Sequence, residues 1–252
     1  MGHFGLYSKY YDLLYRDKDY GAEAVYVYET LSGLNPDIKN VCELGCGTGN
    51  HAKHLVQYGW NIAGIEQSEE MVAVAREKAI NGFYPKVGDI TTFLVDEKVD
   101  ACISLFHVIS YLNSNEEVNS CFKQVNLALK DEGLFMFDVW FTPAVYSLKP
   151  ETRIKRMEND DIQVTRLAES DIDDERNIVT VNYEIQISDI KLGGTNVIKE
   201  KHPMRHFSIP ELLLYGKING FEMVKAEEFG TGNLPSSNTW GVCFVFRKIK
   251  NM

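Results

Sequence analysis

The stretch VCELGCGTGN, Val41 to Asn50, constrains the fold more than any other part of the chain. A short apolar run carries an acid near its end, and glycines follow at alternate positions 45, 47 and 49. Such a turn between a strand and a helix lets the backbone approach a ligand closely. The surrounding chain alternates as a parallel α/β sheet requires. NVCEL (Asn40 to Leu44) and NIAGIE (Asn61 to Glu66) read as buried strands, and residues 50–59 and 68–80 as helices, the second opened by Ser68, Glu69 and Glu70. YPKVGDI, DACISLF and GLFMFDVW supply three further strands, with EEVNSCFKQVNLALK as the helix between the last two. Repeated βα units predict a doubly wound, Rossmann-like α/β sheet, its ligand beyond the carboxyl ends of the strands.

After Pro143 the rhythm changes. TRIKRME, IQVTRLAESD, NIVTVNYEIQIS and NVIKEKHPMRHFS alternate with period two, with DDERN and KLGG as turns. We read residues 144–207 as an antiparallel β subdomain inserted before the last helix. Residues 1–143 and 208–252 form the α/β domain, which IPELLLYGKING, FEMVKAEEF and TWGVCFVFRK bring to seven strands. An insert placed there hangs over the ligand crevice as a substrate cover.

Two phosphate-binding readings of the glycine turn fail. A dinucleotide fingerprint, G-x-G-x-x-G, wants its third glycine where Asn50 stands, and a P-loop needs a Gly-Lys-Ser/Thr that does not follow. What remains is Glu43 near the strand end and a backbone free to approach a ligand that needs no phosphate cradle. Glu66 ends the next strand 21 residues after Gly45, where an acid meets ribose hydroxyls in nucleoside-binding α/β folds.

The pattern E-x-G-x-G-x-G resembles the first motif of class I S-adenosylmethionine-dependent methyltransferases. The resemblance implies a seven-stranded methyltransferase sheet and S-adenosylmethionine as cofactor, with S-adenosylhomocysteine as product. It places Gly45, Cys46, Gly47 and Gly49 against the amino-acid part of the cofactor, with Glu43 orienting its ammonium group directly or through water. Glu66 and Gln67 would take the ribose, Asp89 and Ile90 the adenine, Met71 the other adenine face, and Leu105 would pass beside the cofactor.

The N-terminal segment YSKYYDLLYRDKDYGAEA, the insert and the Asp138-Val139-Trp140 strand end extend the similarity to the enzymes that N-methylate nucleotide-linked amino sugars. In that subgroup the N-terminal tyrosines line the transfer site. Tyr15 matches the position facing the acceptor, Tyr11 and Tyr20 those closing over the cofactor, and Trp140 a position on the substrate side. His107 and Tyr111, in SLFHVISYL, fall near the reacting carbon. The subgroup's histidine aligns with Tyr111, whereas His107 lies four residues earlier, so the use of a histidine base stays open.

Methyl transfer from an activated sulfonium asks mainly for alignment, exclusion of water and, for an alcohol or ammonium acceptor, removal of a proton. Acceptor clues come from RIKR (Arg153 to Arg156) and KHPMRHF (Lys201 to Phe207), basic clusters in a chain of net charge −10. Guanidinium groups recognise phosphate or carboxylate, so Arg205, with His206, is read as contacting a phosphorylated or nucleotide-linked small molecule. The acidic balance argues against a nucleic-acid or membrane partner. Five scattered cysteines without C-x-x-C spacing suggest neither a disulfide framework nor a metal site, and fit a cytoplasmic protein. A homodimer is left open. The alternatives are O-methylation of a sugar or other metabolite, a non-catalytic S-adenosylmethionine-binding protein and, disfavoured by Asn50, a nicotinamide oxidoreductase.

Overall fold

The computed structural model describes residues 13–191 and 193–250. Strands β1 (Asn40–Leu44), β2 (Asn61–Glu66), β3 (Phe83–Val87), β4 (Val99–Ser104) and β5 (Leu129–Phe141) run parallel, and β10 (Phe221–Glu228) and β11 (Gly241–Lys248) close the sheet antiparallel. The order β3-β2-β1-β4-β5-β11-β10 reverses direction between β1 and β4, and the glycine turn leaves β1 at that switch. Central strands such as β1 are buried on both faces, which is why they read as continuous apolar runs.

Helices α1 (Tyr20–Leu34), α2 (Asn50–Leu55) and α3 (Glu69–Glu77) contribute to the core on one face of this sheet, α4 (Asn115–Ala128) and α6 (Ile209–Ile218) to that on the other. Their starts carry the expected chemistry. Ser68 Oγ accepts the Met71 N–H at 3.2 Å, and Ser114 with Glu117 forms a reciprocal capping box. On the α4 side the core is aromatic: the Phe122 ring meets Phe135, Phe137 and Phe246 edge-on at centroid distances of 5.4, 5.7 and 5.7 Å. Edge-to-face pairs of this kind add to what burial alone supplies.

The insert is an antiparallel meander, β6 (Arg153–Glu158), β7 (Ile162–Asp173), β8 (Ile178–Asp189) and β9 (Thr195–Phe207). It is continuous with the parent sheet. β4 stops pairing with β5 at Phe137, and β9 then runs parallel to the end of β5, matching Trp140 with His206 and Phe141 with Phe207. A short helix, α5 (Thr142–Leu148), which the alternation after Pro143 does not announce, makes the transition with Pro143 in its first turn. This pairing fixes the insert over the carboxyl ends of the parallel strands.

Gly216 in α6 tests the packing. A Cβ there would lie 2.3 Å from Cε1 of Phe246, whose ring is fully buried and stacked on Phe137. Helix propensity alone would favour alanine by about 1 kcal/mol, but overpacking a core costs about 1–3 kcal/mol. Gly216→Ala is therefore expected to lower the urea midpoint. A raised midpoint would show that the α6–sheet interface is looser than described.

Candidate active site

The glycine turn is held from two sides. Gly45 and Cys46 donate their N–H groups to the Ile65 carbonyl at 2.7 and 3.2 Å, and Glu66 Oε2 accepts the Gly47 N–H at 2.9 Å. Glu66 Oε1 also takes the Ser68 N–H at 2.9 Å, so one carboxylate joins the end of β2, the turn and the start of α3. Gly45 sits at φ +71°, where a Cβ would come within 2.5 Å of Val108, so only glycine fits.

Above the turn lies a cavity of about 690 Å³, within the range of small-molecule sites. Its sheet-side wall contains Gly45, Cys46, Gly47, Glu66, Gln67, Met71, Asp89, Ile90 and Leu105, all expected cofactor contacts. Asp89 stands exposed at the rim, where its Oδ1 accepts from Thr91 N and Oγ1 at 2.7 Å each. Tyr15, Tyr20, His107, Tyr111 and Trp140 also line the cavity. Tyr11 lies outside the described residues.

Two expected contacts stand back from the wall. Gly49 is the N-cap of α2, and its missing Cβ makes room for Phe83, 2.6 Å from where a Cβ would be; it serves helix–sheet packing. Glu43 is only 1% exposed, beneath the turn, and its Oε2 has no hydrogen-bond partner among the described residues. Burial first, and the charge of Glu66 second, push its carboxyl up to about 8. An orphaned acid under a ligand-facing turn is the kind of group that a ligand cation complements.

The insert supplies the opposite wall by strand parity. Val181, Tyr183 and Ile185 of β8 and Glu200, His202 and Met204 of β9 are alternate residues on the cavity face, with Arg166 of β7 and Arg153 of β6 beside them. The Arg166 guanidinium lies 4.9 Å from the Tyr183 ring centre and 5.6 Å from that of Tyr15, and it donates to the Tyr15 hydroxyl at 3.0 Å. Its Nε is buried and has no partner among the described residues. Tyr111, His202 and Glu200 form a chain from sheet to insert, with Tyr111 Oη 2.8 Å from Nδ1 of His202 and Nε2 of that ring 3.0 Å from Glu200.

Parity also corrects the expected acceptor contacts. Arg205 neighbours Met204 and so points to the opposite face of β9, where it is 7% exposed and bonded to Asn115 at 2.8 Å and Glu211 at 2.6 Å. His206 shares the cavity parity but lies beyond the wall, where β9 pairs with β5. It is fully buried, its Nδ1 2.9 Å from Thr142 Oγ1, and burial lowers its pKa to about 4. The guanidinium groups that line the cavity are those of Arg153, from the RIKR cluster, and Arg166, and not that of Arg205. Arg166, Tyr183 and Glu200 escaped the sequence reading, and His202 was not singled out within KHPMRHF, although the period-two pattern of their strands contains the signal.

Glu43 links the site to stability. A carboxyl raised from 4.5 to about 8 by folding contributes stability that is complete below pH 4.5 and is lost as pH rises through 8. The unfolding free energy of Glu43→Gln minus that of the wild-type protein, measured by urea titration, is therefore expected to grow between pH 5 and 8, by at most about 1.4 kcal/mol per pH unit. A difference that stays flat would place the carboxylate in contact with water.

Comparison with known proteins agrees with this geometry. A methyltransferase-domain family matches residues 41–133, the turn and the first strands. The chain is 30% identical over 139 residues to the dTDP-3-amino-3,4,6-trideoxy-alpha-D-glucopyranose N,N-dimethyltransferase of Streptomyces venezuelae, a match covering 54% of this chain and 58% of that one. It is 31% identical over 143 residues to a methyltransferase of Bacillus cytotoxicus, covering 56% of this chain and 67% of its relative. The fold is shared with the sugar N-methyltransferase KedS8 from Streptoalloteichus, with TM-score 0.82, 24% identity and coverage of 95% and 93%. With a glycine turn at the sheet's switch point, acids at the ends of the strands around it and these relatives, the chain belongs to the class I S-adenosylmethionine-dependent methyltransferases.

Proposed function

We propose that the protein methylates the amino group of a sugar carried on a nucleoside diphosphate. The observation that carries this reading is the opposed charge across one cavity. Glu66 and Asp89 stand on the sheet side, Arg153 and Arg166 on the insert side, and the rings of Tyr15, Phe106, Tyr111 and Trp140 line the same space. A cationic nucleoside suits the first half and an anionic acceptor the second. Two of the curated relatives act, by name, on dTDP-linked amino sugars.

The cofactor half fits the residues present. Glu66 and Gln67 would hold the ribose hydroxyls, Asp89 and Ile90 the adenine edge, Met71 an adenine face, and Gly45 to Gly47 the amino-acid end, with Glu43 compensating its ammonium group from below. When bound, S-adenosylmethionine supplies an electrophilic methyl group and leaves as the neutral thioether. The chain's own contribution is to align the acceptor and exclude water. Arg166, braced by Tyr15 and Tyr183, would take a phosphate through its unpaired Nε, and Arg153, exposed at the rim, a second one. Tyr15 lies edge-on to Phe106 at 5.1 Å, which puts the anion-binding end of the cavity beside the loop that carries His107.

Screening nucleotide-linked amino sugars for S-adenosylhomocysteine release tests the reading. Arg166→Ala should raise the acceptor KM about tenfold or more, the loss of a charge-assisted hydrogen bond, and leave S-adenosylmethionine affinity unchanged. Equal KM values in variant and wild type would remove the anion-binding role.

A further inference from the structure

Three histidines line the cavity, and they differ in what their ring nitrogens have left to offer. His51 Nε2 lies 2.7 Å from Glu23, and its Nδ1 faces Glu43 at 3.9 Å. His202 has both nitrogens engaged, one by Tyr111 and the other by Glu200. His107 Nδ1 lies 2.7 Å from Oδ2 of Asp138, and its Nε2 has no protein partner among the described residues. A base needs an unoccupied lone pair, and among the described residues His107 alone of the three cavity histidines has one ring nitrogen held by a carboxylate, at 2.7 Å, and the other without a partner.

The surroundings fix this ring. Phe106 and His107 sit at φ 65° and 62°, consecutive left-handed conformations that are costly for residues with side chains. Asp138 holds them there: the Oδ2 that faces the ring also accepts the His107 backbone N–H at 3.2 Å. Asp138 is 2% exposed at the end of β5, one strand from the end of β4, so the pairing of β4 with β5 delivers the carboxylate to the loop. Burial works to raise its pKa, but the charge and hydrogen bonds of His107 prevail and keep it below the ordinary value, so it stays ionised. Trp140 flanks the imidazole edge-on at 6.2 Å, and a Cβ on Gly241 would stand 3.2 Å from its Cε1. The Asp138 oxygen is close to Nδ1 but off the axis of the ring N–H, so the contact is not yet an aligned hydrogen bond. Catalytic hydrogen bonds often gain alignment only with reactants in place.

We infer that His107 takes the proton of the acceptor group during methyl transfer, with Asp138 as the positioning residue that keeps the ring proton on Nδ1 and the lone pair on Nε2. The inference rests on the methyl-transfer reading above. The proton passes from an acceptor ammonium to Nε2, and the electron pair of the broken N–H bond stays on the acceptor nitrogen as its nucleophilic lone pair. The imidazolium so formed carries its charge against the Asp138 carboxylate and later returns the proton to solvent. Asp138 remains ionised throughout, as an orienting carboxylate does in a hydrolytic triad.

The test separates this step from cofactor binding. In 15N-labelled protein with S-adenosylhomocysteine added, long-range 1H–15N correlations are expected to show neutral His107 protonated on Nδ1, with that proton shifted downfield. Asp138→Asn should abolish the shift, and His107→Gln assigns the signal. A neutral ring protonated on Nε2 would overturn the proposal, as would an Nδ1 proton unmoved by Asp138→Asn. Should that variant fail to fold, the tautomer of the wild-type ring still decides. With an acceptor that turns over, His107→Gln is expected to lower kcat about 100- to 10,000-fold, to leave KM within a few fold and to remove the acid limb of the pH–rate profile. An unchanged kcat and pH profile would contradict it, whereas loss of S-adenosylmethionine binding by the wild-type protein would instead refute the methyl-transfer reading.

Discussion

One carboxylate organises the ligand end of the sheet. Glu66 closes β2, accepts the Gly47 N–H and the Ser68 N–H, and so ties the glycine turn to the strand and helix beside it. Without that tie the turn would present its backbone to the cavity in many conformations, and each would lose ordering entropy when a ligand bound. With the tie in place the turn has one shape. The acid beneath it, Glu43, is then trapped away from water with an unsatisfied oxygen. A fixed turn above and a buried carboxyl with one unsatisfied oxygen below give this corner of the fold the means to complement a cationic group.

The opposite half of the cavity depends on a different constraint, the pairing of β9 with the last residues of β5. That short parallel contact sets the height and the parity of the whole insert. It turns Glu200, His202 and Met204 inward and Arg205 outward, and the cross-strand register brings Tyr183 and Arg166 in behind them. The same end of β5 carries Asp138 to His107 and Trp140 to the cavity. The proposed acceptor recognition and the proposed proton transfer therefore share a structural origin.

These two constraints differ in how visible they are in the sequence. Strand-end acids separated by helices are local, periodic signals, and β1 and β2 occupy the very residues that the apolar runs mark out. The glycines are visible as well, but their reasons are not. Gly45 is required by Val108 and Gly49 by Phe83, contacts that only the folded sheet creates. The basic cluster around Arg205 illustrates the opposite failure. Charge density was legible, yet the side chain faces Asn115 and Glu211, and alternation from Met204 would have shown it turned away. Helix α5 escaped because TPAVYSL is too short to show a period. The pairing of Asp138 with His107 joins residues 31 positions apart through neighbouring strand ends, which no local pattern reveals.

If the glycine turn receives the charged end of S-adenosylmethionine, the ligand meets there a buried Glu43 that is protonated at neutral pH. Calorimetric titration of that compound at pH 7, repeated in buffers of different ionisation enthalpy, tests it most directly. Because the carboxyl sits at about 8 before binding, the arriving ammonium group should ionise it and release up to about one proton per site, and Glu43→Gln should bind without that release. Binding with no proton exchange in the wild-type protein, or release that persists in Glu43→Gln, would contradict the account.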